Sequence, residues 1–138
     1  KREGIQKLVS SLGLNRLVPL LPYQPDHVMT ALLQGARFLI FPSLYEGFGI
    51  PVVEAFRLGV PVACSDLPSL RETSGQAALL FDPWSEWSIR NSLVTLWDDP
   101  ALGNRLRLAG RAEATRYPAG DVAARYEDIL VTAGRRPG

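Results

Sequence analysis

Two glutamates, two glycines and a proline near the middle of the chain have the residue types and spacing to bind a charged, hydroxylated ligand. Glu46 and Glu54 stand eight positions apart, with Gly47, Gly49 and Pro51 between them. A carboxylate accepts hydrogen bonds from vicinal hydroxyls, such as those of a sugar or a ribose. Glycine lets the backbone approach a ligand, and a helix N-terminus favours phosphate. A nucleoside diphosphate sugar, with hydroxyls on both sides of a diphosphate, has the matching layout.

This segment is predicted to lie between a strand and a helix. The apolar run over 37–41 has the length of a buried strand. The helix predicted over 51–58 starts at Pro51, since proline suits the first helical position, and stops at Gly59. Ligands of open α/β sheets bind at the carboxyl ends of the strands. The loop between this strand and this helix is therefore the predicted binding site.

The rest of the chain alternates between strand and helix patterns, which predicts an α/β fold. The runs are apolar on both faces, so we expect a Rossmann-like parallel sheet with helices on both faces. Further strands are predicted at Leu17–Leu21, Val60–Cys64 and Ala77–Phe81, and further helices at 4–12, 26–34, 68–73, 87–97, from 100 onward and at about 121–132. Asp26 and Asp99 are predicted helix caps. Four strands are fewer than a complete doubly wound domain usually has.

Composition excludes several classes of protein. The 138 residues are 46% hydrophobic and 21% charged, which is ordinary for a globular domain and excludes disorder, collagen and coiled coil. A single cysteine and a single histidine exclude a disulfide framework and Cys-rich or His-pair metal sites. No apolar run reaches the length of a membrane span. We therefore predict one partial domain over 1–138, with no metal.

Charge is balanced overall but unevenly placed. Residues 26–99 carry a net charge of −5, whereas the segments on either side each carry +3. An acidic centre argues against nucleic acid as the main ligand, and the basic C-terminal segment could contact an anionic membrane surface or a partner domain. The chain starts at Lys1, and its only methionine is Met29. We therefore expect a piece of a larger protein, and a cytoplasmic location because no signal peptide is seen.

The motif E-G-F-G-I-P-V-V-E, from Glu46 to Glu54, resembles the signature of family 4 retaining glycosyltransferases of the GT-B fold. F-P-S-L-Y before it, and E-A-F-R-L-G-V-P-V, S-D-L-P-S-L-R-E and D-P after it, strengthen the resemblance, which covers most of the chain. It implies a truncated C-terminal, donor-binding domain of an enzyme that transfers a sugar from a nucleoside diphosphate to an acceptor hydroxyl. The acceptor domain and the phosphate-binding Arg and Lys of the family would lie upstream of residue 1.

The resemblance also implies roles for individual residues. Glu46 would be the catalytic carboxylate beside the donor sugar, and Glu54 would hold the ribose hydroxyls. Tyr23 would lie near the base, although Pro22 stands where the family usually has glycine. The remaining donor-binding residues act through the glycine loop and the helix N-terminus; they are Gly47, Phe48, Gly49, Ile50, Val52 and Val53. The donor is a substrate, so this layout implies neither a cofactor nor a metal.

Other interpretations stay open. The alternative function is a non-catalytic nucleotide-binding or interaction domain of Rossmann-like fold, and a GT-B epimerase or phosphorylase is a third. Glu54 could simply be an acid that favours the helix dipole or a surface partner of Arg57, and the Phe48 side chain could be a packing residue. Trp97 is predicted to be core and Cys64 a buried small apolar residue. We expect the chain alone to have no transferase activity.

Overall fold

The computed structural model describes residues 2–117. The chain divides into two compact units, Lys1–Ala31 and Leu32–Gly138. In the first unit, α1 spans Arg2–Ser11, close to the helix predicted over 4–12, and Gly13 follows it with φ 68°. Helix α2 spans Asp26–Gly35 and confirms the helix predicted over 26–34. No helix within 2–117 is long and apolar enough to cross a bilayer.

The prediction of a strand at Leu17–Leu21 is wrong. This segment has no strand in the structure, and the side chains of Leu17 and Leu21 are 78% and 51% exposed. Pro19 and Pro22 lack the amide hydrogens that a strand ladder needs. An apolar run becomes a strand only where a neighbouring strand pairs with it, and the first unit provides none among its described residues.

Asp26 was predicted to cap α2, and the structure corrects this assignment. The helix begins at Asp26 itself. The carbonyl of Pro25 accepts hydrogen bonds from the N–H groups of Val28 and Met29, each at 3.0 Å. Asp26 therefore lies in the first turn, where its negative charge favours the helix dipole.

In the second unit, three parallel strands form one sheet in the order β1-β2-β3. Strand β1 spans Leu39–Phe41, β2 spans Val62–Ser65 and β3 spans Ala78–Phe81. Phe41 pairs with Cys64, and Cys64 pairs with Leu80. Three of the four predicted strands are therefore confirmed within the described part of the chain.

Four helices follow the strands of the second unit. They are α3 (Ile50–Leu58), α4 (Pro68–Ser74), α5 (Glu86–Asp98) and α6 (Pro100–Ala114). The carboxylate of Asp99 accepts a hydrogen bond from the N–H of Leu102 at 2.8 Å, which confirms Asp99 as the cap of α6. The helix predicted over 121–132 lies outside the described residues.

Successive strand residues point to opposite faces of the sheet, and each face has its own apolar core. On one face the core includes Val52 and Phe56 of α3, Leu70 of α4, and Val62 and Cys64 of β2. On the other face it includes Ala63, Phe81, Leu96 and Leu106, of which the last two belong to α5 and α6. Helices therefore cover both faces of the parallel sheet, as predicted.

Two single-residue predictions have opposite outcomes. The prediction that Trp97 is a core residue is wrong, because Trp97 is 60% exposed, whereas its neighbour Leu96 on α5 is buried. The Trp97 and Phe38 rings instead pack at right angles with their centroids 6.4 Å apart, and the Arg37 guanidinium carbon lies 4.4 Å from the Trp97 ring centroid. Cys64 is confirmed as a buried residue. Its burial raises the pKa of the thiol to about 12, so the thiol is neutral at pH 7 and is no nucleophile.

Candidate functional site

The candidate site is the loop from Pro42 to Gly49, which joins the carboxyl end of β1 to the start of α3. Because β1 and β2 are parallel, the chain that leaves β2 starts at the same edge of the sheet. That chain enters α4, whose side chains contact the loop. The site is thus built from a glycine loop, one helix N-terminus and the flank of a second helix, as ligand sites of open α/β sheets are.

Gly49 is the residue that turns the loop into the helix. It is the N-cap of α3 and has a left-handed conformation with φ 89° and ψ 50°. A Cβ atom at this position would lie 2.5 Å from Cδ2 of Leu70. The backbone conformation and the close approach of α4 therefore both require glycine here.

Three successive N–H groups at this turn are candidates to bind a ligand, one on the buried Gly49 and two on the exposed Phe48 and Ile50. The N–H groups of Phe48, Gly49 and Ile50 have no hydrogen-bond partner among residues 2–117, and Pro51 has no N–H to add. They lie at the positive end of the α3 dipole. Unpaired N–H groups at such a position form a binding site for an anion.

Val52 and Val53 have a different environment from these free donors. Their N–H groups both donate to the carbonyl of Gly49, at 2.9 Å and 3.4 Å, and their side chains are only 0% and 4% exposed. They anchor the start of α3 in the core. Any contribution that they make to a donor site therefore comes from fixing the helix N-terminus.

The two glutamates lie in different settings. Glu46 is half-buried in the loop, and its Oε1 accepts a hydrogen bond from the N–H of Gly47 at 3.2 Å. Glu54 is exposed on α3. Neither carboxylate forms an ion pair within the described chain. Arg57 donates to the carbonyl of Tyr117, so it does not neutralise Glu54 as the surface-pair interpretation required.

The remaining predicted residues differ in exposure. Ile50 is 62% exposed and Phe48 is 40% exposed. The Phe48 and Tyr117 rings pack edge to face with their centroids 5.3 Å apart. Tyr23 belongs to the first unit, where its side chain is 90% exposed, and its role near the base stays a prediction.

Two hydroxyls of α4 hold the loop, and the sequence analysis did not identify them. Ser69 Oγ donates to the carbonyl of Glu46, and Thr73 Oγ1 donates to the carbonyl of Phe48, each at 2.5 Å. Their i, i+4 spacing places both hydroxyls on one face of α4. The i, i+4 spacing of two hydroxyl residues was the one sequence signal that could have pointed to them. Nothing in the sequence shows, however, which loop this face of α4 contacts.

A bidentate ion pair fixes the start of α4. Two nitrogens of the Arg71 guanidinium donate to the Asp66 carboxylate. They are Nε, which donates to Oδ1, and Nη2, which donates to Oδ2 at 2.7 Å. This hydrogen bonding holds the pKa of Asp66 below its ordinary value of 3.8. Asp66 follows the end of β2, so the pair ties α4 to the sheet edge that carries the site.

We predict that Asp66→Asn lowers the unfolding temperature of the chain at neutral pH. Because the pKa of Asp66 is lower in the folded than in the unfolded chain, its contribution is complete above about pH 4 and is lost as the pH falls through the folded-state pKa. The difference from wild type should therefore disappear in strong acid. Measuring the unfolding temperature of both proteins from neutral pH to strong acid checks the prediction, with Asp98→Asn as a control at an exposed carboxylate. A difference that does not change with pH contradicts the prediction.

This arrangement has the chemistry to bind a polyhydroxylated anion. The free N–H groups can hold phosphate oxygens, and the two unpaired carboxylates can accept hydrogen bonds from hydroxyls. In the part of the chain that the structure covers, no three His, Cys, Asp or Glu side chains come close enough to hold a metal ion.

Comparison with known proteins relates this geometry to a family. The family described as "Glycosyl transferases group 1" matches residues 1–113. The O-antigen chain mannosyltransferase B of Escherichia coli is 37% identical over 97 residues, which are 70% of this chain and 26% of that protein. The MMP alpha-(1->4)-mannosyltransferase of Mycolicibacterium hassiacum is 35% identical over 112 residues, 79% of this chain and 27% of that protein. The chain therefore spans about a quarter of the length of these relatives.

Solved structures show the same fold. A sucrose-phosphate synthase from Thermosynechococcus elongatus has a TM-score of 0.81 at 26% identity, over 96% of this chain and 34% of that one. The C-terminal domain of a glycosyl transferase group 1 family protein from Francisella tularensis has a TM-score of 0.74 at 19% identity, over 84% and 61% of the two chains. The parallel sheet and its helices thus have the fold of the C-terminal domain of GT-B glycosyltransferases. Since the family match extends over residues 1–113, the chain belongs to the glycosyl transferases group 1 family.

Proposed function

We propose that this chain is the donor-binding part of a retaining glycosyltransferase of family 4. The whole enzyme would transfer a sugar from a nucleoside diphosphate to an acceptor hydroxyl that a further domain holds. The observation that carries the proposal is the succession of Glu46, three free N–H groups and Glu54 along one loop and helix start. Membership of the family supports sugar transfer, and the mannosyltransferase relatives support a role in polysaccharide or glycolipid synthesis.

The free N–H groups of Phe48, Gly49 and Ile50 bind the diphosphate of the donor in this proposal. As the bond between the anomeric carbon and the phosphate oxygen breaks, its electron pair leaves with the diphosphate. Negative charge then grows next to N–H groups that are already oriented towards it. Such preorganised donors stabilise a transition state without a cost of reorganisation.

The two carboxylates bind the two ends of the donor. Glu46, half-buried in the loop, accepts hydrogen bonds from the sugar hydroxyls and favours the positive charge that develops at the anomeric carbon. Glu54, exposed on α3, accepts hydrogen bonds from the ribose hydroxyls. With retention, the acceptor oxygen attacks the face of the sugar from which the diphosphate leaves, and the proton of the acceptor hydroxyl passes to the departing phosphate oxygen. The cytoplasmic location and a peripheral membrane contact stay predictions.

Calorimetric titration of the whole enzyme with UDP, GDP and ADP tests the donor site. We expect one nucleotide to bind, and Glu54→Ala to weaken it about tenfold or more, because hydrogen bonds to a charged group contribute about 1.5–3 kcal/mol each. Asp98→Ala, at an exposed carboxylate of the last turn of α5, is the matched control and should bind like wild type. If none of the three nucleotides or their common sugars binds, the chain is instead an interaction domain.

A further inference from the structure

We infer that Ser69 and Thr73 of α4 are positioning residues that aim the peptide groups of the glycine loop at the donor. The inference rests on the proposed function of the loop as a donor site. The two hydroxyls serve different parts of the donor. The Thr73 hydroxyl orients an N–H group that binds the diphosphate, and the Ser69 hydroxyl orients the Glu46 carboxylate that contacts the sugar.

The two hydroxyls contact alternate carbonyls of the loop from one face of α4. Ser69 donates to the carbonyl of Glu46 and Thr73 to that of Phe48, both at 2.5 Å. Thr73 is only 2% exposed, and Ser69 is half-buried. Leu70, which lies between Ser69 and Thr73 in the sequence of α4, is fully buried. Its side chain packs so closely against Gly49 that a Cβ atom would not fit at residue 49. Helix α4 thus fixes the loop by two hydrogen bonds and one apolar contact.

The planarity of the peptide bond converts these contacts into an orientation of the N–H groups. In a trans peptide the C=O and N–H bonds point in opposite directions, and no described peptide is cis. Because the carbonyl of Phe48 points towards Thr73, the N–H of Gly49 in the same peptide points away from α4. Gly49 is buried, and its N–H has no partner within 2–117. Thr73 therefore holds an unpaired donor on the side of the peptide that faces away from α4, where we place the diphosphate.

The peptide that Ser69 holds has a second role. Its carbonyl belongs to Glu46, and its N–H belongs to Gly47. This N–H also points away from α4, and it donates to the carboxylate of Glu46 at 3.2 Å. Ser69 therefore acts on the Glu46 carboxylate through one peptide group, and it sets the direction from which the carboxylate meets the sugar.

A purely structural role of these hydroxyls has a different consequence. Removing the Thr73 hydroxyl leaves the carbonyl of Phe48 without its partner, which destabilises the fold in either case. If the hydroxyl only stabilises the fold, however, the affinity of the folded protein for a diphosphate does not change. Affinity measured well below the unfolding temperature therefore separates the two roles.

The test compares Thr73→Val with Thr73→Ser in the whole enzyme by calorimetry. We expect Thr73→Val to weaken the nucleoside diphosphate about tenfold and to leave the affinity for the nucleoside without phosphate unchanged, whereas Thr73→Ser keeps wild-type binding. Thr115→Val, which removes a hydroxyl that donates to the carbonyl of Ala112 at 2.7 Å, is the matched control. Unchanged diphosphate affinity in folded Thr73→Val overturns the inference.

Ser69→Ala gives a second test that does not depend on the folding of Thr73→Val. It should lower kcat for sugar transfer several-fold and leave the Kd of the free diphosphate unchanged, because it acts through Glu46. An unchanged kcat contradicts the assignment of Ser69. If the wild-type enzyme binds no nucleoside diphosphate at all, the proposed function itself has failed, and that result is distinct from both outcomes for the variants.

Discussion

Glu46→Gln is expected to lower the kcat of the whole enzyme roughly 100-fold or more without unfolding it. In our proposal the carboxylate accepts hydrogen bonds from the sugar hydroxyls and favours positive charge at the anomeric carbon. Glutamine keeps the shape but removes the charge, and loss of one such preorganised interaction typically costs 10²–10³-fold in rate. The fold should tolerate the change, since within residues 2–117 the carboxylate accepts only the hydrogen bond from Gly47 and forms no ion pair.

Steady-state kinetics with the donor sugar checks this expectation, with thermal unfolding and the Kd of the free nucleoside diphosphate as controls. Glu54→Gln is the matched variant at the other end of the donor. It should raise KM more than it lowers kcat, because ribose contacts are similar in the ground state and the transition state. If Glu46→Gln changes only affinity and leaves kcat as in wild type, Glu46 is a binding residue and not a catalytic one.

Much of the fold of the second unit was predictable because its signals are local. Strands β1, β2 and β3 are short apolar runs between turn residues, and the sheet buries both of their faces. Helix α3 begins at Ile50, one residue before Pro51, and ends at Leu58 with Gly59 as its C-cap at φ 70°, and Asp99 caps α6. Each of these boundaries depends on the conformational preference of one or two residues, so the sequence alone indicates them.

The errors arose where the outcome depends on distant neighbours. Leu17–Leu21 is as apolar as the true strands, but no described strand pairs with it. Trp97 and Leu96 are adjacent on α5, and only the direction in which the helix packs decides which of them is buried. A periodic pattern gives the apolar stripe of a helix to within about one residue, which is enough to add Trp97 wrongly to a stripe that contains Leu96.

The candidate site was predictable in its position and less so in its detail. The motif from Glu46 to Glu54 indicates a loop and a helix start, and the structure places the free N–H groups there. Which N–H groups are free depends on the conformation of Gly49, because its carbonyl occupies the N–H groups of Val52 and Val53. Ser69 and Thr73 are more than 20 residues from their carbonyl partners, and such long-range contacts need the folded structure.

Gly49→Ala is expected to destabilise the chain by about 2–3 kcal/mol, whereas Gly47→Ala should change its stability by less than about 0.5 kcal/mol. A left-handed conformation costs a residue with a Cβ roughly 1–2 kcal/mol, and the contact of that Cβ with Leu70 adds to this cost. Gly47 has no positive φ, and nothing lies within 4 Å of the Cβ that alanine would add. Denaturant unfolding of the two variants measures the difference.

The same pair of variants also separates two reasons for glycine in the loop. If Gly47 is needed so that the backbone can approach the donor, Gly47→Ala keeps wild-type stability but binds the nucleoside diphosphate sugar more weakly, because its methyl group takes up space that the ligand needs. If Gly47→Ala binds as well as wild type, Gly47 is only a turn residue. Equal destabilisation by the two substitutions would contradict the special backbone conformation assigned to Gly49. The proposed donor site depends on that conformation, since it starts α3 and leaves the N–H groups of Phe48, Gly49 and Ile50 unpaired within residues 2–117.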